Sequence, residues 1–318
     1  MTLLSDRSLP ELPYEAWEKT KKTLHLYTQI VGKVKLATTA PRNHWWNVPL
    51  YVDVRGLTTG RLTVNQTSFD LTFDFLDHAL VLRTDTGAGG SFPLEDGLTV
   101  AQFDRNLHTL LDHHDVEVEI REEPFGLPAP TTPFRADIEH ASYQAAWVQS
   151  FWRALEWADE VLDEFSGWFC GKQSPVHLFW HSFDLAYTRF SGLRTPGLEA
   201  ADATTREAYS HELISFGFWP GDDNLRAPSF YSYTAPEPPG LREHALQPSE
   251  ATWVEGPTGA LALLPYDDVR AARDPRAVLL AFLESAYGAG SKAAGWARDD
   301  FRSSFCPTPA QMQQLLGR

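Results

Sequence analysis

The sequence predicts an α+β protein of two loosely related halves, each a mainly antiparallel sheet packed with helices, joined by a long amphipathic helix. Three observations carry this. Apolar and polar residues alternate in short runs over 46–60 and 69–83, and again beyond 176. Helical periodicity is strongest over 143–165. Pro124, Pro128, Pro130 and Pro133 crowd the stretch between, which favours an extended connector.

In chain order, residues 13–31 place Trp17, Leu24, Tyr27 and Val31 at helical spacing, with Gly32 as the stop and Lys19, Lys21 and Lys22 facing water. VPLYVDVRGLTTG and FDLTFDFLDHALVLR read as antiparallel strands, and TGAGG at 86–90 as a loop. A helix over 100–111 and a charged strand, VEVEIRE at 116–122, close the first half. In the long helix Trp147, Phe151, Leu155, Ala158, Leu162 and Phe165 form the apolar stripe, leaving Glu156, Asp159, Glu160, Asp163 and Glu164 for solvent. Strands are expected at 176–190, 207–219, 229–234 and 259–264, then a helix from Pro275 to Tyr287. The units are 1–130, a connector and helix over 131–169, and 170–318; VDVRGLTTG set against DLAYTRFSG suggests an internal duplication.

Composition narrows the function classes. An apolar fraction of 43% and an aromatic fraction of 13% supply a large core. Asp and Glu outnumber Lys and Arg by 42 to 27, and the formal charge of −15 disfavours nucleic acid and anionic membranes as partners. With Cys170 and Cys306 as its two cysteines, the fold does not rest on a disulfide framework, and Cys170 is expected as a small buried hydrophobe. The N-terminus does not read as a secretory signal and no stretch approaches a membrane span, so the expected compartment is the cytoplasm. G-x-S-x-G, Walker, H-E-x-x-H and C-x-x-C motifs do not occur.

What chemistry the chain offers lies in PVHLFWHSFDLAYTRFSG at 175–192 and in the block from Tyr209 to Tyr233. His177 and His181 could share a metal in a helix, but in a strand four residues span about 13 Å. Pro175 and the density of aromatics favour the strand, with 177, 179, 181, 183, 185 and 187 on one face. The histidines then have three readings: core imidazoles satisfied by backbone or tyrosine, a metal site of His177, His181 and His211, or a metal-free acid/base pair. The favoured function is a small-molecule enzyme with a His/carboxylate site, with iron or zinc as the expected cofactor. His181, Glu212 and Tyr231 are its catalytic candidates, and Arg189, Trp219, Tyr233 and Glu284 its ligand-binding candidates. The rival is a non-catalytic small-ligand binder with an aromatic-lined pocket. Asp184 and Arg189 are expected to pair or to anchor a charged substrate, and HWWN at 44–47 to act as a lid or a hydrophobic plug.

The blocks HWWNVPLYVDVRGLTTG, HLFWHSFDLAYTRFSG, SHELISFGFWPGDD and FYSYTAPEPPG resemble an uncharacterised bacterial family, domain-of-unknown-function family 5996. The likeness runs over nearly the whole chain. It implies a bacterial origin and a full-length single-family architecture, and transfers no activity, cofactor or site residue.

Overall fold

A computed structural model describes residues 9–256, 259–297 and 301; Cys306 lies outside them. Among the described residues twelve strands form two six-stranded antiparallel sheets. The first contains β1 (Tyr51–Asp53), β2 (Gly56–Thr58), β3 (Leu62–Val64), β4 (Thr67–Asp74), β5 (Ala79–Thr84) and β6 (Gly89–Pro93), in the order β1-β2-β4-β5-β6 with β3 also on β4. The second contains β7 (His177–Phe179), β8 (Asp184–Arg194), β9 (His211–Trp219), β10 (Ser229–Ala235), β11 (Thr252–Gly256) and β12 (Gly259–Pro265), in the order β11-β12-β10-β9-β8-β7. Leu50 and Leu178 exchange backbone hydrogen bonds of 2.9 and 2.8 Å, so β7, at the edge of the second sheet, meets the chain entering β1 of the first.

The helices are α1 (Tyr14–Thr38), α2 (Val100–Asp112), α3 (Ala145–Ser166), α4 (Ala203–Ala208), α5 (Tyr266–Ala271) and α6 (Pro275–Ala293). Helix α2 starts with a capping box, Thr99 and Gln102 each satisfying the other's backbone N–H. Helix α1 runs through the hydrophobic core and does not stop at Gly32. A Cβ there would overlap the Trp180 indole, whose N–H donates to the Val48 carbonyl, so this glycine admits a tryptophan and does not end a helix. Lys21 is correspondingly buried against the rings of Tyr14 and Phe183 and does not face water.

Several expectations are corrected. Residues 116–122 form no strand: Val116, Val118 and Ile120 pack against the core in alternation, but no ladder forms beside them. The run 176–190 is not one strand but the hairpin β7–β8. Its turn places Phe183 at φ 64°, and Trp180 and Phe183 drop into the core. Helix α4 occupies 203–208, so the next strand begins only at His211, and β11 is an additional strand. Helix α6 continues through GAGSK to Ala293, because Gly290 lies against Thr234 and Ile214 with no room for a Cβ. Cys170 is exposed, and Asp159, turned from the solvent face, is half-buried.

The proline-rich segment is tied down. Gln29 of α1 accepts from the Phe125 N–H at 2.7 Å and donates to its carbonyl at 2.9 Å, and Phe134 is buried. One hydrophobic cluster extends from Leu9 to Trp296 across both sheets. Among the described residues no helix is long and apolar enough to cross a membrane.

Candidate functional site

Strand alternation gives the second sheet two unlike faces. Tyr187, Arg189, Ile214, Phe216, Phe218 and Phe230 face α3 and α6: Phe165 of α3 packs edge-on to Tyr187 and Phe216, and Trp157 against Phe230. The opposite face carries His177, Asp184, Ala186, Thr188, Ser215, Gly217, Trp219, Tyr231 and Tyr233, as the register shows. Ala186, Gly217 and Tyr231 lie in line on neighbouring strands. Because residue 217 has no side chain, the Tyr231 ring lies across β9 and its hydroxyl donates to the Asp184 carboxylate on β8. A Cβ at 217 would stand 2.5 Å from that hydroxyl oxygen. Ser182 donates to the other carboxylate oxygen.

This buried pair is ringed by half-buried polar side chains: His181, Ser182, Trp219 and Tyr233. Burial pulls the His181 imidazole below its ordinary pKa, while the adjacent Asp184 carboxylate pulls it upward. Among the described residues the His181 ring has no hydrogen-bond partner, and the buried Trp219 Nε1 and His177 Nδ1 on the same face have none either. Burial first, and then the charge of Asp184, raises the Tyr231 hydroxyl well above its usual value, so it stays a donor. Tyr233 stacks beside Tyr231 at 6.2 Å between centroids, and its hydroxyl meets that of Tyr209 at 3.3 Å.

The candidates therefore separate into groups. His181, Tyr231, Trp219 and Tyr233 share the polar face with Asp184. Glu212 points to the other face, accepts from Ser191 at 2.9 Å, and lines a separate cleft of about 290 Å³ with Thr234, Pro236, Glu237, Ala294 and Trp296. Glu284 is half-buried on α6, in the layer behind the sheet. Arg189 and Asp184 do not pair, because five residues apart on one strand they face opposite ways. Arg189 is enclosed instead, its guanidinium carbon 3.6 Å from the Phe165 ring centroid and 4.5 Å from that of Tyr287, with hydrogen bonds to the Tyr187 hydroxyl and the Phe165 carbonyl.

The three histidines do not converge on a metal. The Phe179 ring stands between His177 and His181, 4.6 and 5.3 Å from their centroids. His177 pairs with Ala186, and His211 with Arg194, eight positions further along β8, on the order of 25 Å away. Among the described residues no three His, Cys, Asp or Glu side chains form a group that could hold an ion, so the donor set that iron or zinc would need is not assembled here. Sequence reasoning undervalued Asp184 as the centre of the site. The signal was Gly217, a glycine inside an aromatic strand, which marks a place where another group passes close.

No curated protein and no solved structure matches the chain. One family model does, over residues 9–303. Since that match takes in both sheets and every helix named above, the chain belongs to the family of unknown function DUF5996.

Proposed function

We propose that the chain binds a small polar molecule on the polar face of its second sheet and acts on it by metal-free proton transfer, with His181 as the acid/base group. Asp184 and Tyr231 position the ligand, and Trp219 and Tyr233 provide its walls. The carrying observation is that the unsatisfied His177 Nδ1 and Trp219 Nε1 share one face with the buried Asp184–Tyr231 pair, and that the His181 ring stands beside the Asp184 carboxylate. A polar ligand is the natural partner for groups that cost about 1–3 kcal/mol each when left unpaired. His181 suits the acid/base role because it carries an ionisable ring beside a carboxylate, without a hydrogen bond that would spend it.

The test is a thermal-shift screen of small polar metabolites on the wild-type chain, Asp184→Asn and Tyr231→Phe. A compound that stabilises wild type and loses its effect in both variants supports the site, whereas stabilisation unchanged in both overturns it. Turnover of that compound, abolished in His181→Ala while binding persists, identifies the enzyme. Binding without turnover identifies the non-catalytic binder instead.

A further inference from the structure

At the other end of the same face lies a second cluster, independent of the chemistry at Asp184. Residues 43–45 make a 3-10 turn in which His44 and Trp45 both take left-handed backbone conformations, φ 56° and 60°. Such conformations are strained for non-glycine residues and persist only where the surroundings fix them. Helix α4 does so. The His44 N–H donates to Glu207 at 2.9 Å, its Nδ1 meets the Ala208 carbonyl at 3.2 Å, and the Trp45 indole donates to the Thr204 carbonyl at 3.0 Å.

These contacts set the tautomer. A ring nitrogen facing a carbonyl must carry the proton, so the His44 Nε2 is an acceptor, and it takes a 2.7 Å hydrogen bond from the Lys172 ammonium. Lys172 thus stands on a neutral imidazole strut, over the rings of Phe190 and Trp46 at 5.1 and 5.6 Å. Among the described residues no carboxylate comes within salt-bridge distance of it; its acidic neighbour, Glu207, is occupied by the His44 backbone. The His211 ring stands edge-on to His44 at 5.4 Å between centroids. An irregularity in β8 between Phe190 and Arg194 then brings Arg194 opposite His211. Lys172 and Arg194 both oppose protonation of His211, after its burial.

Lys172 and Arg194 both act on the His211 ring, against the opposing charge of Glu207, and such a gathering of basic groups in a chain with a formal charge of −15 needs a reason. We infer that Lys172, His211 and Arg194, held in place by His44, bind the phosphate or carboxylate group of a small anion. Lys172 has two ammonium protons not used by His44, Arg194 is an exposed fork, and the aromatic floor keeps water from one side of the charge.

The experiment titrates the full chain with inorganic phosphate and, separately, with sodium acetate, at constant ionic strength in chloride, following the imidazole signals of His44 and His211 by NMR. The expected result is a saturable shift with at least one anion, about tenfold weaker in Lys172→Met. Saturation by phosphate alone assigns a phosphate group, by acetate alone a carboxylate, and by both an unselective oxyanion site. If neither anion saturates, or Lys172→Met binds as wild type does, the inference is overturned. Should Lys172→Met fail to fold, exposed Arg194→Met decides: weakened binding supports the site and unchanged affinity overturns it.

Discussion

At the residue scale, buried charge is the dominant theme. Lys35 lies in α1 with its ammonium donating to the carbonyls of Pro49 at 2.5 Å and Thr59 at 2.7 Å, and burial lowers its pKa to about 8. Asp159 is the acidic counterpart. Burial, reinforced by Asp163 and Glu160, lifts its pKa to about 7, and no cation answers it among the described residues. A carboxyl raised this far costs stability above pH 7, and the cost fades as pH falls from 7 toward its unfolded value. Asp159→Asn is therefore expected to stabilise the fold at pH 8 by roughly 1–2 kcal/mol and to have little effect at pH 4, as urea unfolding at the two pH values would measure. Equal effects at both would show that the carboxyl is not perturbed.

At the element scale, Gly32 gives a prediction whose sign opposes helix propensity. Alanine in place of a mid-helix glycine gains about 1 kcal/mol. Here the added methyl enters the Trp180 ring, so Gly32→Ala is expected to destabilise by a net 1–3 kcal/mol or so in chemical denaturation. The same residue shows where the sequence was legible. Periodicity located α2 and α3 closely, and α1 and α6 to their first turns, because their buried stripes repeat at helical spacing. It misjudged where α1 and α6 end because the deciding contacts, Trp180 on Gly32 and Ile214 on Gly290, come from residues far away in the chain. For the same reason Val116, Val118 and Ile120 alternate like a strand without a partner. His181 and Tyr231 could be chosen by residue type, and their meeting at Asp184 depends on a register that one sequence does not reveal.

At the scale of the whole molecule, two neutral histidines tie the fold to pH. His25 stacks on Phe183 at 5.0 Å, and His177 lies between Tyr51 and Phe179. Burial, helped by Lys21 for His25 and by Lys35 for His177, lowers both to about 3. The unfolded chain binds protons at these positions from about pH 6.5 downward and the folded chain does not, so stability declines as pH drops from 6.5 to 3. Each group contributes a slope of about 1.4 kcal/mol per pH unit within that window. Replacing His177 with Phe should reduce the measured slope by one proton; an unaltered slope would mean that His177 is charged in the fold. The backbone clasp between Leu50 and Leu178 has a broader consequence. A strand margin is a template on which foreign chains can build, and here one such margin from each half is occupied by the other. The far margins are blunted by different means: β6 carries Gly89, Gly90 and Pro93, and β11 bears Glu255 bridged to Arg242. The molecule thus gains protection against fibrillar stacking from its own connectivity, without closing into a barrel.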